Sequence, residues 1–371
     1  MLRNACLAIC AFVFASILWP LHARAWSEAE HHLLTQKALE PVAASWNLNK
    51  PVAVHSFDQF LKAWGIKHPE IKTREAFAQK LAINPQSPFD QLFDAERTQQ
   101  RRTPLQILTD HAIDPDDGRD QNLPIAIFKD QFWFGGGTGV STQAFRHIEK
   151  PPWAFGFPFR KLGEATDRIQ IYFDLAQESK KIGENYWAWR FLACALHYVE
   201  DLNQPYHAAQ ASPQMLWLGL KAYATWGRTS DKGILGTIAH LMSNTHLFFE
   251  AYTEWQSQTG MPVGLVWNRN IAKQDTEPIT TSVRLFGETI RDRSHQVSAN
   301  TMAAVIALTQ DRLLGPASFI IDKTPPDDPR PMIRTDLAGR TQAASQLNKI
   351  IGDQLTAAGM DIRSLVWNFV Q

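Results

Sequence analysis

Apolar residues recur along this chain at intervals of three and four, the period of a helix with one buried stripe. The stretch "EHHLLTQKALEPVAASW" sets Leu33, Leu34, Ala38 and Val42 on such a stripe. "KLGEATDRIQIYFDLAQESKKIG" repeats the pattern with Ile169, Phe173 and Ala176 and stops at Gly183. "SVRLFGETIRDRSHQVSANTMAAVIALTQDRLL" sustains it so long that one interruption is expected within it. After the proline-rich "TPPDDPRP" of residues 324–331, Leu347, Ile350, Ile351 and Leu355 mark one more amphipathic helix, too little for a separate domain. No series of alternating strands spaced by turn signals is present, so the fold class expected is all-α. "DPDDGRDQNLP" and "FGGGTGVS" read as loops. The triple glycine has no Lys-Ser or Lys-Thr after it and is no phosphate cradle.

Two stretches break the amphipathic pattern. "YWAWRFLACAL" is apolar on nearly every side, as a core helix is, yet it runs into "HYVEDLNQPYH", with two histidines and two acids around a proline. The segment from "MLWLGLKAYATW" through "GILGTIAHLM" is apolar on more than one helical face. A buried helical hairpin is the ordinary reading of such a segment, and a lipid-facing flap is the other.

Composition narrows the function classes. The chain has 371 residues, room for a sizeable core, and 37 basic residues balance 37 acidic ones. Net charge therefore offers no surface for polyanions. Thirteen Trp and 21 Phe make the chain aromatic, which suits cores and wet–apolar interfaces alike. At the N-terminus, Arg3, the apolar "ACLAICAFVFASIL", Pro20 and the small-x-small "ARA" of residues 23–25 form a signal-peptide pattern. The expected division is a signal peptide over 1–25, a catalytic domain over 26–323, and a Pro-rich linker with a C-terminal helix over 324–371. Cleavage after Ala25 would export the chain to a periplasm or beyond the cell. It would also remove Cys6 and Cys10, leaving Cys194 without an internal disulfide partner, as a small buried hydrophobe.

The polar end of the aromatic helix carries the chemistry. His197 and Asp201 stand four residues apart and share a helical face, and His207 follows past Pro205. His246 and Glu250 repeat the four-residue spacing. Twelve histidines and 37 acids would give about one such pair by chance, against the two present. Requiring a further His six residues after the acid lowers the expectation to about 0.04. Imidazole and carboxylate together suit zinc, and a carboxylate bridging two metals can position a nucleophile for in-line attack on phosphorus. Glu200, next to Asp201, reads as a solvated acid. His22, His55, His68, His111, His240 and His295 lack the pattern and read as ordinary core or surface histidines. No GxSxG competes as a nucleophile motif.

The stretch "ALHYVEDLNQPYHAA", with "RIQIYFDLAQESKKIGENYWAWRF" before it, resembles the secreted bacterial zinc-dependent phospholipase C family, which is related to the single-strand-specific zinc nucleases. The likeness covers Trp26 to about residue 255, with gaps. It implies an all-helical enzyme with three zinc ions. Trp26, the first residue after the expected cleavage, would bind one zinc through its α-amino nitrogen and carbonyl oxygen. His31, in "HxxLTxxAL" spacing, would join it, and Asp201 would bridge to a second zinc held by His197, His147 and Asp116. Asp114 is the alternative to Asp116. His207, His246 and Glu250 would hold the third ion. By the same resemblance Asp116 would take the proton of the attacking water. Insertions are implied between Asp116 and His147 and, as the apolar segment, between His207 and His246.

The resemblance implies hydrolysis of phospholipid to diacylglycerol and a phosphorylated headgroup at a membrane surface. The related nucleases typically carry D-x-H-Q-P-L-H and a later His-x3-Asp, where this chain has Asn203 and Glu250. That difference, the neutral charge and the lack of disulfides favour lipid over nucleic acid. A non-catalytic, zinc-stabilised membrane-binding protein is a third reading, one with closed, fully ligated metal.

Overall fold

The computed structural model describes residues 28–73, 76–77, 100–116, 149–150, 162–209, 213–225, 233–309, 312–313, 329–333 and 337–371. Within them the chain is mostly helical, as its pattern predicts, and only four two-residue strands are present. These pair as two short antiparallel bridges, Val52–Ala53 with Arg101–Arg102 and Glu149–Lys150 with Leu162–Gly163. The signal-peptide pattern, Trp26 and His147 lie outside the described residues.

Local sequence fixes most of the helix ends. Helix α1, Glu28–Leu39, stops just before Glu40, where the following Pro41 disfavours further α-helix, and continues as a short 3-10 turn over Glu40–Val42. Helices α2 (Phe57–Lys67) and α3 (Pro104–His111) begin in capping boxes, Ser56 with Gln59 and Thr103 with Gln106. Each such cap is worth about 1 kcal/mol. Helix α4, Ala165–Lys181, is followed by Gly183 at φ +85°, a left-handed stop that glycine adopts at little cost.

The aromatic helix α5, Asn185–Leu202, forms the centre. From Tyr186 to Leu202 every residue but Trp189 is buried. It packs along α4 and against α1 and α3. Trp187 and Phe191 meet Phe57, Phe60 and, through them, Phe77 at ring separations of 5.3–5.9 Å, mostly tilted or edge-on. Much of the aromatic content is thereby spent on fastening α2 to α5. Pro205 then opens the one-turn α6, Pro205–Ala208, directly after α5.

Helices α7 (Pro213–Thr225) and α8 (Gly233–Gln258) pack together as the hairpin that the apolar segment predicts. Burial is partial, however: Ala222 is covered, while Trp217 is 67% and Leu220 44% exposed. Helix α9, Pro262–Ile271, lies so close to α8 that a Cβ on Gly264 would stand 1.8 Å from the Gln256 carbonyl oxygen. Helix α10, Val283–Thr309, is unbroken and ends before the last residues of the stretch in which one interruption is expected. Its buried stripe of Val283, Gly287, Ile290, Ser294, Ser298, Thr301 and Val305 never loses register. Two hydroxyls on it are satisfied within the helix, Ser298 donating to His295 O at 2.7 Å and Thr301 to Val297 O at 2.9 Å, while Ser294 reaches across to Gln354 Oε1 at 3.1 Å.

Helix α11, Leu337–Val370, is about 50 Å long at 1.5 Å per residue and packs against α1, α5, α9 and α10. Leu347, Ile351 and Leu355 are buried in the common core. Its Arg363 donates to Ile271 O at 2.7 Å, to Asp275 O at 2.8 Å and to Ala38 O at 3.4 Å, tying the ends of α9 and α1 together. Burial lowers the Arg363 guanidinium to about 10.

Candidate metal centre

The last turns of α5 and the start of α6 carry His197, Glu200, Asp201, Gln204 and His207, all with no exposed surface. Such density of buried polar groups is costly unless each is paired or bound to a cation. Three other elements converge on this point. Helix α1 brings His31, the turn after α3 brings Asp114 and Asp116, and α8 brings His246 and Glu250.

Among the described residues two groups of three hold their ligand atoms within 4.8 Å of one another: His31, His197 and Asp201, then His207, His246 and Glu250. In the first group the His31 and His197 rings stack at 4.1 Å. The carboxylate of Asp201 spans them, Oδ1 standing 3.6 Å from His31 Nε2 and Oδ2 3.3 Å from His197 Nε2. Asp116 repeats the arrangement, Oδ2 at 3.6 Å from His31 Nε2 and Oδ1 at 3.8 Å from His197 Nε2. Apart from the 3.3 Å between His197 and Asp201, these separations exceed a direct hydrogen bond. Two ligands of one tetrahedral zinc, each about 2.1 Å from it, stand about 3.4 Å apart, which is this spacing. His31 Nε2 makes no hydrogen bond, although fully buried. The donor set fits a divalent cation.

The other face of each ring is held. His197 Nδ1 meets Ala112 O at 2.7 Å, and His31 Nδ1 meets Glu200 Oε2 at 2.5 Å. Glu200 is thus not the solvated acid its position suggests. Neighbouring Asp201 on the same helix faces the site, and the docking of α1 covers Glu200 instead. Its second oxygen accepts from Thr35 Oγ1 at 2.5 Å. Burial pushes the Glu200 carboxyl well above its ordinary value, and nearby Asp201 and Asp116 add to the rise while the Thr35 hydroxyl opposes it. Burial, then the charges possible on His197 and His207, keep His31 well below the usual imidazole value, hence neutral as a ligand must be.

The second group is drawn closer. His246 Nε2 and Glu250 Oε1 are 2.8 Å apart, a direct hydrogen-bond distance. The Gln204 side-chain nitrogen lies 3.0 Å from His246 Nε2 and donates to Glu250 Oε1 at 3.2 Å. Tyr206 stacks on His246 at 5.3 Å, and burial raises its phenol above the ordinary range. Of the seven candidate ligands described, only His246 keeps a partly exposed side chain, at 11%; the Asp116 carboxylate is fully buried.

The structure separates Asp116 from Asp114. Asp116 faces the two histidines, whereas Asp114 faces Arg190 at 3.3 Å and His111 at 3.0 Å. Asn203 turns away from the site. It donates to Val199 O and to Asp361 Oδ2, each at 3.0 Å, and accepts from Arg293 at 2.7 Å. Other described histidines have other partners: His32 faces Asp110, His55 meets Glu184, His68 meets Glu178 and His295 meets Ala208 O.

Sequence reasoning missed Glu200, Thr35 and Gln204 as parts of this centre. Thr35 stands one helical turn after His31, and Glu200 lies within an otherwise apolar helix. Both were signals that a buried polar partner was required. No protein-family model, curated protein or solved structure matches the chain, so the centre is read from its own residues alone.

Proposed function

We propose that the protein is a zinc-dependent phosphodiesterase acting on phospholipid, exported after cleavage behind Ala25. The observation that carries this reading is the spacing of the first group, where two carboxylates each span two imidazole nitrogens at 3.3–3.8 Å. Imidazole nitrogen and carboxylate oxygen are zinc's ordinary ligands. His31, His197, Asp201 and Asp116 would hold metal on one side and His207, His246 and Glu250 on the other. Bound there, the ions would supply Lewis acidity toward a phosphoryl centre and activation of water. Trp26 and His147, outside the described residues, would supply the remaining ligands of the three ions expected.

Within that frame the chain's own groups divide the work. Asp201 orients both histidines from the rigid α5. Asp116 accepts a proton at a carboxylate oxygen. Substrate phosphate approaches on the side of His246, whose side chain is partly exposed. Phospholipid as substrate class is supported by the balanced charge and by Trp217 and Leu220, exposed on α7 close after His207 in the chain. Asn203 does not bear on the choice, because its side chain is engaged with Arg293 and Asp361.

The test uses purified protein supplied with zinc. Release of phosphorylcholine from phosphatidylcholine vesicles is followed beside release of nucleotides from single-stranded DNA, each with and without chelator. Chelator-sensitive headgroup release with intact DNA is the expected result. Nucleotide release alone would redirect the same centre to nucleic acid. Zinc bound without turnover of either would make it a structural site.

A further inference from the structure

We propose that Glu200 is a positioning residue for metal at the first group: it holds His31 in the one tautomer and ring orientation that presents Nε2. The inference rests on the reading that His31, His197 and Asp201 bind metal.

Glu200 follows from the geometry of two helices. It precedes Asp201 on α5, and the two carboxyl groups face opposite nitrogens of one imidazole, Glu200 bonded to Nδ1 at 2.5 Å and Asp201 3.6 Å from Nε2. The other Glu200 oxygen is engaged by Thr35, one turn beyond His31 on α1. One carboxylate is therefore fixed at both oxygens by one face of α1, with no exposed surface. With one oxygen already accepting from Thr35 Oγ1, the carboxyl group that stands 2.5 Å from Nδ1 is placed as an acceptor and selects the tautomer in which Nδ1 carries the proton. Nε2 is then left with its lone pair toward the metal side, where Asp116 and Asp201 lie. The same hydrogen bond makes the imidazole a stronger donor to metal. His197 is oriented in the same sense, but by the neutral carbonyl of Ala112. Of the two rings in the first group, His31 has a carboxyl group in that place and His197 a carbonyl, so Glu200 acts on one half of that group.

The experiment compares the wild type with Glu200→Gln and Thr35→Val. Zinc affinity of each metal-stripped protein is measured by competition with a chromophoric chelator, and nitrogen-15 NMR reports the His31 tautomer. Glu200→Gln is expected to weaken the tightest site by about 10- to 100-fold, the range for such partners of metal-bound histidines, while leaving the weaker site unchanged. His31 should shift from a single Nδ1-protonated form to a mixture. Thr35→Val, which leaves the carboxylate in place but frees one oxygen, should move both readouts less and in the same direction, and it carries the test should Glu200→Gln fail to fold. Unchanged affinity and tautomer in a folded variant would overturn the positioning role alone. A wild type that binds no zinc would overturn the metal-site reading beneath it.

Discussion

The two donor groups at the end of α5 are built from the same residue types and differ in how far they are held open. In the first, the carboxylates of Asp201 and Asp116 stand 3.3–3.8 Å from the imidazole nitrogens, and the histidines are fixed from behind by Glu200 and Ala112. In the second, His246 and Glu250 approach to 2.8 Å and Gln204 reaches both. The first group thus has the spacing of ligands around an ion, and the second that of groups hydrogen-bonded to each other. A site already spaced for metal need not break internal contacts to bind, so the first group should load first and hold more tightly. The lesson is that motif spacing identifies candidate ligands, whereas their supports set how far apart they are held.

The severest way to break this comparison is Asp201→Asn. It should lower phosphodiesterase turnover at least about 1,000-fold, in the manner of removing one member of a group that acts as a unit. Elemental analysis should find the first site empty and the second filled. The metal-stripped variant should melt no lower than the metal-stripped wild type, because a carboxylate buried beside Glu200 and Asp116 repels its neighbours. A lower melting point would make Asp201 a structural acceptor instead.

Arg293→Met addresses what the groups share. Arg293 pairs with Asp361 and holds Asn203, which lies between Asp201 and His207 in the chain. Removing it strands the buried Asp361, whose carboxyl burial already pushes up against the opposing pull of Arg293. Arg293 is one-third exposed, so the loss should be about 2–3 kcal/mol in urea unfolding, below the range for fully buried pairs. Both sites should lose zinc affinity together. Loss at one site alone would show that Asn203 does not tie them.

Gln204→Leu should separate the groups. Without the amide donor the metal-free protein loses about 1–2 kcal/mol. If that contact belongs to the metal-free form, the second site then binds zinc up to about tenfold more tightly by linkage, with the first unchanged. Weaker binding in the chelator titration would instead make Gln204 a support. The smallest expected effect is that of Trp217→Ser with Leu220→Ser, within about 0.5 kcal/mol of wild-type stability for exposed positions. Hydrolysis of vesicle lipid should fall several-fold while hydrolysis of a soluble phosphodiester stays the same. Equal loss on both substrates would rule out a lipid-facing role for α7.

The parts of the molecule were not equally legible in its residues. Helix ends marked by Gly183, Pro205 and the Ser56 and Thr103 caps follow from local backbone rules, which need no partner to act. The four-residue pairs His197–Asp201 and His246–Glu250 were legible because the helical period alone puts both members on one face. The continuity of α10 was not, since it depends on the face it buries against its neighbours. The exposure of Trp217 depends likewise on which side of α7 meets α8.

What the sequence by itself determined is thus the mostly helical class, the aromatic central helix and the buried His and Asp side chains that helix presents as candidate ligands. Tertiary structure alone decided that Asp116 and not Asp114 faces the histidines, that Glu200 is buried against α1, and that Asn203 points to Arg293 and Asp361. The reason is distance along the chain: the partners of Glu200 and Asn203 lie 90 to 169 positions away, and only the packing of α1, α10 and α11 around α5 brings them together. Periodicity fixes which residues share a face, and packing fixes what that face meets.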